Sequence, residues 1–254
     1  MCSSDLAARR AYQLAGAEIA LAFSIRHAGV RHPLSGPSPW YVLAELADPV
    51  PGSMMAIFEA AMEKGLVSDA ALAQQVADRL QSAGYAPRID PHRGLDHGAW
   101  VPLRMMYPAA DIPVIPLSIK PHAGAAYHYA LGEALRPLTK EGYLIIGTGS
   151  ITHNLRDYMV CVHHQLPTPS YVTRFADWVA AQLDQTDHAA LINYRNTATD
   201  ASQAHPTEDH FMPFFVALGA AGTHSHGQRF HHGVDDLVIA MDGYRFDPVT
   251  RAVQ

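Results

Sequence analysis

The stretch Tyr143–Asn154, YLIIGTGSITHN, constrains the fold of this chain more than any other. Tyr143, Leu144, Ile145 and Ile146 are apolar or aromatic in succession, the signal of a short buried strand. Gly147, Thr148, Gly149 and Ser150 then supply a loop that delivers a histidine, His153. A buried strand ending in a glycine turn that presents one titratable side chain is a common way for an α/β protein to build a site. The alternative is a core histidine satisfied by backbone. Asn154 stands where it can orient either the ring or a ligand oxygen. GTGS lacks the third spaced glycine of a dinucleotide fingerprint, and Ser150 lacks a G-x-S-x-G context.

Around this stretch strand and helix alternate. Ser68 or Asp69 is placed to cap a helix whose apolar stripe is Leu72, Val76, Ala77 and Leu80, running up to Gly84. A short strand is expected at Pro87–Ile89 and a buried one at Ile112–Ile119. An amphipathic helix follows at Ala125–Leu138, and a further one at Phe175–Leu183. A helix is expected to start at His205–Pro206–Thr207 and to run through Phe211–Leu218 to glycines at Gly219–Gly222. Leu237–Met241 reads as a last strand. The alternation predicts one α/β domain with a mixed sheet.

The first part of the chain is less regular. Leu14–Ser24 fits a helix or a buried strand, and Met54–Lys64 has helical spacing. The opening MCSSDL resembles the translation of a sequencing adaptor, which points to a truncated or frame-shifted gene start. Residues 1–67 are therefore expected to form an atypical N-terminal segment of the same domain, and 68–254 its main body.

Composition narrows the chemistry. At 48% hydrophobic residues the chain can bury a sizeable core, and a formal net charge of −6 with no basic patch argues against a nucleic-acid or anionic-membrane partner. No apolar run approaches the roughly 18 residues a spanning helix needs. Glu18 interrupts the apolar residues 14–25, so a cytoplasmic protein is expected. A homo-oligomer is left open. Cys2 and Cys161 are the two cysteines beside 16 histidines, so any metal must be held by imidazole and carboxylate.

Two further segments carry histidines in suggestive settings. GLDHGAW, Gly94–Trp100, sets His97 next to Asp96 between two glycines, as a site residue or as a helix cap. AHPTEDH places His205 and His210 about a helix start. Pro206 makes a joint helical pair doubtful, so one ligand is favoured over two. His163, His164, His224, His226, His231 and His232 fall in polar or glycine-containing stretches and read as solvated.

Six segments, read together, carry a resemblance. GLDHGAWVPLRMMYPAADIPVIPLSI, HYALGEAL, YLIIGTGSITHNL, FADWVAAQL, AHPTEDHFMPFFVALGAAG and MDGYRF occur in order from Gly94 to Phe246. They resemble the class III extradiol ring-cleavage dioxygenases of the LigB-type superfamily, in particular the DOPA 4,5-dioxygenase-like branch, over about residues 68–246. That resemblance implies a single α/β domain with a central mixed β-sheet flanked by helices. It also implies a non-haem metal, Fe(II) or Zn(II), and a catechol-type substrate cleaved with O2. On this reading His153 is an acid/base or ligand, His210 a metal ligand, and His97 lies against the substrate. Trp100, Asn154 and His205 are the candidate substrate-binding residues, with Trp100 and Phe211 as an apolar wall. The family's two early ligand motifs, H-G-S-P and S-A-H-W, are absent here, and IALAFSIRHAG is only a faint echo that offers His27 as a ligand. Two rivals follow: a non-catalytic binding protein on the same fold, like the Memo proteins, and a zinc hydrolase using a carboxylate such as Glu208.

Overall fold

A computed structural model describes residues 40–45, 70–91, 95, 97–106 and 112–247. The expectations for Leu14–Ser24 and Met54–Lys64, and for His27, lie outside the described residues.

Three parallel strands position the site. β1 (Trp40–Glu45) lies between β2 (Val114–Ser118) and β3 (Tyr143–Gly147), with Val42 opposite both Ile115 and Ile145. A segment of the irregular first part thus supplies the middle strand. Parallel neighbours need a crossover, and α3 (Gly124–Thr139) provides it between β2 and β3. Its Ala125, Tyr129, Gly132, Leu135 and Leu138 recur at helical spacing and are buried. Gly142 at φ 92° turns the chain from α3 into β3.

Other helices enclose this layer. α1 (Ala70–Ser82) buries Leu72, Val76, Ala77 and Leu80, as its periodicity predicts. Leu72, Val76 and Leu80 meet Ile115, Leu131, Leu135, Leu138 and Val216 in one apolar cluster. α2 spans His97–Met106. After β3 come α4 (Leu155–His164), α5 (Ser170–Asp184), and the short α6 (His188–Ile192), α7 (Tyr194–Thr197) and α8 (Ala201–Ala204). A 3-10 turn at Asp209–Phe211 leads into α9 (Met212–Ala221).

α9 is apolar on all sides because it is covered on all sides. Val216 joins the α1–α3 cluster, whereas Phe215 and Leu218 join a second cluster with Tyr171, Phe175 and Val179 of α5. Fully burying each such side chain contributes roughly 1.5–3 kcal/mol. α9 and α3 cross at backbone distance: a Cβ on Gly219 would lie 2.0 Å from the Tyr129 carbonyl oxygen, and one on Gly132 2.1 Å from that of Val216.

The strands of the described residues do not join into one mixed sheet. The antiparallel pairs are separate ribbons, β4 (His226–His231) with β7 (Gly243–Asp247), and β5 (Val234–Asp235) with β6 (Ile239–Ala240). The expected last strand at Leu237–Met241 shrinks to β6. Asp236 and Leu237 adopt φ of 45° and 64° in the turn before it, and the last strand is β7. Pro87–Ile89 is not a strand: Pro87 has no N–H for a ladder, and Ile89 is exposed. The helix expected from His205 begins only at Asp209–Met212, because α8 ends at Ala204 and Pro206 cannot continue it.

Candidate active site

The loop leaving β3 is held against three other segments through its backbone. Gly149 lies so close to the 3-10 turn that a Cβ there would stand 2.1 Å from the His210 carbonyl oxygen. The Ser150 amide donates to that oxygen at 3.0 Å. The Ile151 amide donates to Ala240 at 2.9 Å, and the His153 amide to Ala204 at 2.8 Å. Thr152, fully buried, donates its hydroxyl to the Val238 carbonyl at 2.8 Å and accepts from the Ala240 amide at 2.7 Å.

This stitching brings two of the sequence candidates together. The rings of His153 and His210 stack face to face, centroids 3.4 Å apart and planes 10° from parallel. Burial first, then the neighbouring His210 and His205, push the His153 imidazole down from its ordinary value to about 3, so it stands neutral. Two imidazolium rings at this separation would repel, which a neutral His153 avoids. Asp209 Oδ2 lies 3.3 Å from Nδ1 of His210, in contact but off the line of a hydrogen bond. The His210 ring, with a smaller contribution from Thr207, holds the Asp209 carboxyl well below the usual carboxylate range. The place of Asp209 beside His210 comes from the 3-10 turn.

The remaining candidates are distributed differently. His205 is fully buried behind the pair. Nε2 donates to the Ile151 carbonyl at 2.6 Å, and the ring stacks on Phe211 at 4.8 Å. Phe211 is itself fully enclosed, so it backs the site and does not line it. The Asn154 amide is committed at both ends, donating to the Gln203 carbonyl at 2.8 Å and accepting from the Asp157 amide at 3.1 Å as the cap of α4. His97 is the first residue of α2, with Trp100 one turn on. The side chains of both, like His27, lie outside the described set. Glu208 accepts from Tyr194 and from Arg195, each at 3.0 Å, so the carboxylate named for the hydrolase alternative has partners of its own.

Two other buried histidines are structural. His128 donates from Nδ1 to the Gly124 carbonyl and accepts at Nε2 from the Lys120 amide. His188 accepts from the Tyr129 hydroxyl and donates to the Ser225 carbonyl. Burial lowers the pKa of both.

Imidazole suits Fe(II) or Zn(II). Nδ1 of His210 lies beside Asp209, which leaves Nε2 to face an ion. His153 does not fit as a second ligand in this geometry. Ring lone pairs lie in the ring planes, and two nearly parallel planes 3.4 Å apart do not converge on one point. Among the described residues no group of three or more His, Cys, Asp or Glu is arranged to hold a metal ion.

Comparison with known proteins places the chain in one family. Residues 50–237 match the family of the catalytic LigB subunit of aromatic ring-opening dioxygenase, and the chain belongs to it. Among individual relatives, the chain is 40% identical to the 4,5-DOPA dioxygenase extradiol of Beta vulgaris over 176 residues, 69% of this chain and 65% of that one. It is 36% identical to the protein of that name in Mirabilis jalapa, covering 71% of this chain and 67% of the relative. For the protein of that name in Escherichia coli K12 the identity is 34%, with 59% and 55% covered. The chain thus spans less than two thirds of the Beta vulgaris relative. A crystal structure of an uncharacterized Escherichia coli K12 protein shares the fold, with a TM-score of 0.62, 24% identity, and 82% of this chain and 85% of that one covered.

Proposed function

We propose that this chain is a metal-dependent extradiol ring-opening dioxygenase acting on a catechol-type aromatic substrate with O2. The face-to-face His153–His210 pair at the carboxyl end of β3 carries the reading, because it offers a ligand and a base side by side. The extradiol names of the relatives support it.

His210 would hold the metal through Nε2, with Asp209 beside its Nδ1 and His27 the candidate for a further ligand. When bound, Fe(II) would supply Lewis acidity toward the catechol and redox chemistry toward O2; Zn(II) would supply only the first. His153, neutral and beside the ligand, accepts the second phenolic proton and returns it as the ring opens. His97 orients the substrate or relays that proton, and Trp100 supplies apolar wall. In the overall change both oxygen atoms enter the product and the ring C–C bond next to one hydroxyl breaks. Asn154 serves by capping α4 and holding the loop.

The test is oxygen uptake with DOPA and with unsubstituted catechol, on protein stripped of metal and reloaded with Fe(II) or Zn(II). Catechol-dependent uptake with Fe(II) alone is expected. Iron bound through His210 without uptake on either substrate would overturn the dioxygenase reading and favour the binding protein.

A further inference from the structure

We infer that His205 is a positioning residue: its hydrogen bond to Ile151 and its stack on Phe211 set the His153 and His210 rings face to face. This rests on the dioxygenase reading only where activity is measured; the ring geometry stands without it.

His205 closes α8 and is fully buried. A carbonyl oxygen only accepts, so the 2.6 Å contact with Ile151 requires the hydrogen on Nε2 and leaves a lone pair on Nδ1. That Nδ1 has no hydrogen-bond partner and no solvent. An unmet buried acceptor is costly, and a phenyl ring would fill the same space without that cost. The imidazole is accounted for by what its other nitrogen does.

Ile151 lies two residues before His153, and Phe211 directly follows His210. His205 thus touches both segments that carry the pair, through the Ile151 carbonyl on one side and the Phe211 face on the other, rings 8° from parallel. Ala204, its chain neighbour, accepts from the His153 amide at 2.8 Å. Phe175 packs edge-on against the imidazole at 5.7 Å and Tyr194 at 6.4 Å, which limits its tilt. A shift of the Ile151 carbonyl moves His153 relative to His210. A displacement of about 1 Å between acting groups can cost 10²-fold in rate.

The experiment separates the bond from the bulk. H205F keeps an aromatic ring on Phe211 and removes the donor; H205Q replaces the donor with an amide N–H. Proton NMR of the stacked imidazoles, assigned with H153Q and H210Q, reports the ring pair through its mutual ring-current shifts without substrate. In H205F those shifts are expected to relax toward free histidine, with kcat down 10- to 100-fold and KM nearly unchanged. H205Q should restore most of both. Retained ring-current shifts and kcat in folded H205F would overturn the proposal. If H205F does not fold, F211L takes its place: unmoved imidazole shifts there, or a freely exchanging His205 Nε2 proton in the unaltered protein, overturn it equally. Wild-type protein with no oxygen uptake on catechols but with the ring-current signature removed by H205F would refute the dioxygenase reading and leave the positioning role intact.

Discussion

At the scale of single residues, the site depends on how little space separates two loops. His153 and His210 can do different work because one ring lies over the other and does not point at a shared centre. H210A is therefore expected to weaken Fe(II) or Zn(II) binding at least tenfold, measured by competition with a chelator. H153Q should leave metal affinity within about twofold yet lower kcat for catechol cleavage about 10²- to 10⁴-fold, the range of general acid–base catalysis. Equal loss of metal from both variants would make His153 a ligand and the base assignment wrong. Gly149 is the complementary case. A methyl group there would meet the His210 carbonyl oxygen at 2.1 Å, so G149A must force the β3 loop off the 3-10 turn. A lowered Tm accompanied by lost ring-current shifts checks this. An unchanged Tm would show that the loop gives way freely.

At the scale of elements, the crossing of α3 and α9 sets the position of the 3-10 turn under the loop. Gly219 and Gly132 let the two backbones touch. G219A overpacks that contact, at a typical cost of about 3 kcal/mol, and for a chain of this size Tm should fall by about 6–12 °C in calorimetry. A fall below 2 °C would mean that the helices separate without penalty. Helix α1, α3, α5 and strands β2 and β3 were legible because their apolar residues recur at 3.6 or in short runs. Leu72, Val76 and Leu80 are the plainest example. Pro87–Ile89 was misread because three residues carry no usable period, and a proline among them lacks the donor a ladder needs. The start assigned to α9 was early for a related reason. HPTED has the composition of a helix cap, but α8 already ends there and the chain needs four residues to turn back.

At the scale of the whole molecule, buried neutral histidines tie stability to pH. His128, His188 and His205 each have a folded pKa lowered by burial, and that of His205 falls to about 3. Above about pH 6.5 neither state holds the extra proton and no effect arises. Below it the unfolded chain protonates each ring while the fold resists, so stability present at neutral pH is lost as pH falls. For His205 the loss amounts to about 1.4 kcal/mol per pH unit in that window. Denaturant titrations at pH 7 and 5 should show this loss, and H188Q should reduce the proton uptake on unfolding. No change in uptake would mean His188 protonates within the fold. By itself the sequence determined the strand that ends at Gly147, the helices flanking it, the family, and His153 and His210 as the pair to watch, because those signals are local in the chain. Only the tertiary structure decided that the two rings stack, that Asp209 faces His210, and that His205 turns inward to Ile151. The ring stack and the His205–Ile151 bond join residues 50 to 60 positions apart in sequence. Their distances depend on a glycine-lined backbone crossing and a buried aromatic cluster, which no spacing along the chain encodes.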